Sequence, residues 1–116
     1  MRSLRVMLIV AAVAGLLCAG QAVLASNCTL TYANFGQAFL GKYCNTCHAS
    51  TLSGGQRRGA PAGLDFDTPE LAAKHAVGIM TRTAVKKNMP PAWAAPQPTD
   101  DERTKVQTWV SCEYPR

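Results

Sequence analysis

Beyond residue 25 the sequence has no apolar run long enough to cross a bilayer, no internal repeat, no low-complexity tract and no linker-like stretch. A later membrane helix, a repeat array and a second domain are thereby set aside. No segment alternates apolar and polar residues as a half-buried strand does, so the material for a βαβ unit is missing as well. A single CxxC occurs, at Cys44 and Cys47, and the only histidines are His48 and His75. Structural zinc wants four ligands, commonly two such pairs or one pair with a paired histidine element, and this chain does not supply them. A thioredoxin-like dithiol wants its CxxC beside a βαβ unit, which is also lacking. Acidic residues are few, seven against twelve lysines and arginines. That excess is modest and scattered, which suits an acidic protein partner and argues against nucleic acid.

What is present begins with a leader. "MRSLR" carries Arg2 and Arg5, Val6 to Leu17 contains no charge, and "AVLAS" brings Val23 and Ala25 into the small-residue pattern before a cleavage point. This is the layout of a secretory signal peptide cut after Ala25, with export to the periplasm as its consequence. The alternative is an uncleaved anchor over Val6 to Ala25, a run that Gly15, Gly20 and Gln21 interrupt. Residues 26–116 then form one domain of 91 residues, and the formal charge falls from +5 to +3 as Arg2 and Arg5 leave. A domain of this size buries a thin core and gains from a staple or an embedded cofactor. Cys28, Cys44, Cys47 and Cys112 would meet an oxidising compartment.

Three helices are predicted. In the first, from about Tyr32 to Cys44, Phe35, Ala38, Phe39 and Tyr43 recur on one face. The second opens near Thr68 with Pro69 at its first position, carries Ala73, Ala76, Val77, Met80 and Ala84 on one face, and stops at Asn88 before Pro90 and Pro91. The third begins at a capping box, Thr99 with Glu102, and buries Val106, Trp109 and Val110. Between the first two lies "ASTLSGGQRRGAPAGLDFDT", twenty residues of loop composition, long enough to imply that it wraps something. The pairs "RR" at 57–58 and "KK" at 86–87 read as solvated surface.

The first helix delivers "CNTCH", Cys44 to His48, at its C-terminal end. Two thiols on one turn can each add to a vinyl group of one porphyrin, and the adjacent His48 then falls under the iron as proximal ligand. Three residues compete for the opposite axial position. Met89, in "NMPPAW", leaves a helix into a loop that two prolines stiffen; Met80 sits mid-helix as ordinary core filler; His75 follows Lys74 and reads as a half-exposed histidine. Met89 is the expected ligand.

"CNTCH", followed 41 residues after His48 by "MPP" and then by "TDDERTKVQTWV", resembles the small monohaem class I cytochromes c of bacteria, from about Tyr32 to Cys112. The resemblance implies an all-α fold of about three to four helices wrapped around one covalent haem c, with first and last helices crossing through Phe35 or Phe39 and Trp109. It implies an electron carrier, not an enzyme, with redox proteins as partners, acidic or membrane-bound, and no small-molecule substrate. It also implies that the carbonyl of Pro61, 13 residues after His48, accepts the other ring N–H of the proximal histidine. Lys42, Arg57, Arg58, Lys86 and Lys87 are the candidate steering charges. Cys28 and Cys112 depart from the family, and as the remaining exported cysteines they are expected to bond to each other. Two other classes stay open: a haem enzyme or gas sensor with a weak or absent sixth ligand, and a subunit of a larger oxidase or dehydrogenase.

Overall fold

The computed structural model describes residues 28–115, and the expected signal peptide lies outside them. Helix formation begins where Thr31 caps it: the Thr31 hydroxyl accepts from the Asn34 amide while the Asn34 side chain accepts from the Thr31 amide. A π-helical turn, Tyr32–Gly36, runs directly into α1, Gln37–Tyr43. The Gly36 amide reaches back five residues to the Thr31 carbonyl, which fits an extra residue into that turn and advances the register. Phe39, Leu40 and Tyr43 are therefore the buried face of α1, and Ala38, expected inside, is exposed.

Helix α2, Pro69–Met80, starts as the sequence predicts, with the Thr68 hydroxyl accepting from the Leu71 amide and Pro69 in the first turn. A second π-helical turn, Thr81–Val85, extends it, and Lys87 then turns left-handed at φ 52°, so helical structure stops short of Asn88. Its buried stripe is Ala72, Ala76, Ile79 and Thr83, with Ala73 and Val77 outside. This corrects the predicted face. Alanines and apolar residues surround the helix on most sides, so periodicity alone does not select between neighbouring stripes. Helix α3, Asp100–Glu113, carries both halves of the predicted capping box.

The domain is all-α, with no strand among the described residues. Its core gathers Leu40, Phe39, Ile79, Val106, Trp109 and Val110 from the three helices. The turn before α1 crosses α3 with the Phe35 ring edge-on to Trp109, centroids 6.1 Å apart, as expected. The crossing is this close because residue 36 has no side chain: a Cβ there would lie 2.4 Å from the indole. Glu113 locks the same corner, its carboxylate accepting from the Trp109 indole and from the Tyr32 amide. Cys28 and Cys112 are bonded, tying the start of the described chain to the end of α3 across 84 residues.

Gly36→Ala is expected to lower stability by about 1–3 kcal/mol through overpacking against Trp109. Gly41→Ala, which meets nothing within 4 Å on the open face of α1, should raise it by roughly 0.5–1 kcal/mol. Denaturant midpoints check both, and an unchanged midpoint for Gly36→Ala contradicts the close crossing.

Candidate functional site

Past Tyr43 the chain keeps turning. The Cys47 and His48 amides both donate to the Cys44 carbonyl, at 3.0 and 2.9 Å, so the two thiols and the imidazole share one turn. All three border a single cavity of about 620 Å³ whose walls are mostly apolar, among them Leu64, Phe66, Ile79 and Pro91. Neither Cys44 nor Cys47 is bonded. Burial, and secondarily the neighbouring Cys47, pushes the Cys44 thiol up to about 12. A thiol kept neutral in this way is a poor disulfide-exchange nucleophile.

The His48 ring is fixed on two sides. Its Nδ1 lies 2.8 Å from the Leu64 carbonyl, and Phe66 stacks on it with centroids 4.6 Å apart. A carbonyl only accepts, so Nδ1 carries the proton and the lone pair is left on Nε2, the form in which an imidazole ligates a metal. The acceptor expected here was Pro61. Pro61 does border the cavity, but its carbonyl accepts from Arg57 Nη2 at 2.7 Å. The turn closed by the Leu64 amide on the Pro61 carbonyl carries the chain on, and Leu64 is the residue that meets the ring.

Arg57 is the second correction. It is 5 % exposed rather than solvated, and its guanidinium fills the centre of the long loop. It donates to the carbonyls of Ala49, Leu52, Ala60, Pro61 and Leu64 and pairs with the buried Asp65 carboxylate at 2.6 Å. Apart from a 3₁₀ turn at Gly54–Arg57 the loop has no regular structure, so these carbonyls have no helix or sheet to satisfy them. Outside this knot, Ser50 clasps Asp67 through its amide and its hydroxyl, and the hydroxyl bond is the main cause holding the Asp67 carboxyl below its usual range.

Of the three axial candidates, Met89 and His75 border the cavity and Met80 does not. Met80 lies at the edge of the core beside Ser111, as core filler should. His75 is edge-on to Phe66, and its Nε2 is buried with no hydrogen-bond partner among the described residues. Met89 comes from a different segment, with Pro90 and Pro91 beside it and its amide bonded to the Arg82 carbonyl.

The polar lining is one-signed. Arg58, Lys74 and Arg82 border the cavity, exposed and without a salt bridge among the described residues, and no carboxylate joins them. Of the five predicted steering charges only Arg57 and Arg58 border the cavity, and Arg57 is neutralised. Lys42 pairs with Glu102 and Lys87 with Asp100. Lys74 and Arg82 were missed because four-residue spacing through Gly78, which also borders the cavity, brings them to the rim, not charge clustering. In comparisons with protein-family models, curated proteins and solved structures, nothing matches the chain.

Arg57→Met leaves Asp65 buried without its partner and removes the one donor that the Leu52 and Ala60 carbonyls have among the described residues, and should cost about 3–5 kcal/mol. Arg58→Met, on the surface, should stay within about 0.5 kcal/mol of the parent. Equal losses in the two variants, read by urea unfolding, would contradict the role given to Arg57.

Proposed function

We propose that the protein is a single-electron carrier of the cell envelope, an all-α domain wrapped around one covalently attached c-type haem. One observation carries this reading: two unpaired thiols, an imidazole with its lone pair on Nε2 and a methionine from a distant segment all border one apolar cavity whose charged rim is wholly cationic. That combination fits a flat apolar macrocycle with acidic edges and a metal at its centre. Cys44 and Cys47 would hold it through thioether bonds, and His48 and Met89 would ligate its metal. When bound, the group supplies an iron that alternates between ferrous and ferric states.

The chain's own residues supply the rest. The Leu64 carbonyl holds the His48 proton at Nδ1 and so fixes both ring orientation and ligand basicity. Phe66 and Ile79, both buried, keep water from the interior wall. A thioether ligand favours the ferrous state relative to a second imidazole, which raises the potential. Arg58, Lys74 and Arg82 give the mouth of the cavity a positive field suited to steering an acidic redox partner, soluble or membrane-bound. Trp93, 62 % exposed at the same mouth, offers such a partner an apolar contact.

Replacing Met89 by Ala is expected to leave the haem attached, remove the red-end absorption band typical of methionine-ligated ferric haem, lower the potential and admit carbon monoxide to the reduced protein. Met80→Ala, at a half-buried site away from the cavity, should cost stability, at most the roughly 2–5 kcal/mol of a core truncation, and leave the spectrum unchanged. Exchange of the two results would move the axial role to Met80. A wild-type protein whose ferric spectrum is already high-spin would favour an open site, as in a haem enzyme or gas sensor.

A further inference from the structure

A second buried arginine stands behind the Met89 segment. Arg103 on α3 is 7 % exposed, lies outside the cavity lining and makes no salt bridge among the described residues. Its Nη1 donates to the carbonyl of Thr83 at 2.7 Å and to that of Met89 at 3.1 Å, and its Nη2 donates to the Gln97 side-chain oxygen at 3.1 Å. Gln97 turns its amide nitrogen the other way, onto the carbonyls of Pro91 at 2.8 Å and Ala94 at 2.7 Å. One guanidinium and one carboxamide thus hold three carbonyls between Met89 and Ala94, and fasten them to the end of α2 and to α3.

This segment needs such a device. Pro90 and Pro91 have no N–H to give. The amides that do bond are those of Met89, to the Arg82 carbonyl at 3.2 Å, and of Ala94, to the Pro91 carbonyl at 2.9 Å. Burying a cation that has only neutral acceptors is unfavourable unless its hydrogen bonds are made, and three acceptors on three segments call for a rigid fork rather than a lysine's single ammonium. The fork is aimed at the backbone of the residue that borders the cavity, not at the cavity.

We propose that Arg103, acting with Gln97, is the positioning residue for Met89: it sets how often the segment opens and so how often the thioether leaves a metal bound at His48. This rests on Met89 being the axial ligand. Local opening is an equilibrium of the folded protein, and removing bonds made only in the closed segment shifts that equilibrium without unfolding the domain.

The test uses the full-length, haem-loaded protein. Arg103→Lys keeps the charge and loses the fork; Gln97→Ala alters an exposed residue and folds even if the arginine variant does not. The double variant Cys28→Ser with Cys112→Ser serves as control, since it lowers global stability at a distance from the cavity. Three quantities are read: the rate of carbon monoxide binding to the ferrous protein, the pH at which the methionine band of the ferric protein is lost, and hydrogen exchange at the Met89 amide. Loss of a hydrogen bond from a charged donor predicts carbon monoxide binding about tenfold faster in Arg103→Lys. The alkaline loss of the band should move to lower pH, Met89 exchange should accelerate, and Gln97→Ala should change each in the same direction by less. The control should match the wild type in all three. If Gln97→Ala and any folded Arg103→Lys behave like the control while Met89→Ala removes the band, the positioning role is wrong and the axial assignment stands. If Met89→Ala leaves the spectrum untouched, both are wrong.

Discussion

A twenty-residue loop inside a domain this small must satisfy its backbone carbonyls without helix or sheet, and the buried Arg57 guanidinium gathers five of them, alongside local turn bonds. The rest of the site depends on that knot. Leu64 is held within it, and the Leu64 carbonyl in turn sets the proton on His48 Nδ1. Asp65 neutralises the guanidinium, so the loop is fastened without leaving an uncompensated charge next to an apolar cavity. The Ser50–Asp67 clasp closes the loop at its two ends, where it leaves the CxxCH turn and where it enters α2.

The Met89 segment repeats the solution with different chemistry. It too is irregular, it too places a cavity-bordering residue, and it too hangs its carbonyls on an arginine from inside the domain. The arginine here donates to neutral acceptors only. The cavity therefore sits between a salt-bridged cation under His48 and one without a salt bridge among the described residues behind Met89, with Arg58, Lys74 and Arg82 at the rim. In a low-dielectric interior that field favours negative charge in the cavity.

Much of the frame was legible in the sequence, because it depends on local signals. The Thr99–Glu102 capping box, Pro69 at the start of α2, the crossing of Phe35 on Trp109 and the Cys28–Cys112 bond all appear where residue chemistry places them. Faces were less legible. The π-helical turn ahead of α1 advanced its register, and the alanine-rich surface of α2 hid which stripe was buried. Least legible were the two arginines. Arg57 next to Arg58 in a glycine-rich stretch reads as surface, and Arg103 in "DDERTK" reads as one more charge on an exposed helix end. Nothing local marks a guanidinium whose partners are backbone carbonyls brought together by the fold. The same reason moved the histidine's acceptor from Pro61 to Leu64: the spacing points to the right turn and not to the carbonyl that faces the ring.

Covalent attachment through the CxxCH turn is the claim from which the electron-carrier reading follows, and mass spectrometry of the protein made in its own host tests it most directly. The peptide holding Cys44 to His48 should carry the mass of one haem, the colour should stay with the protein through acid–acetone extraction, and neither Cys44 nor Cys47 should react with an alkylating agent. Loss of the colour to the solvent, or two alkylated cysteines in that peptide, would contradict it.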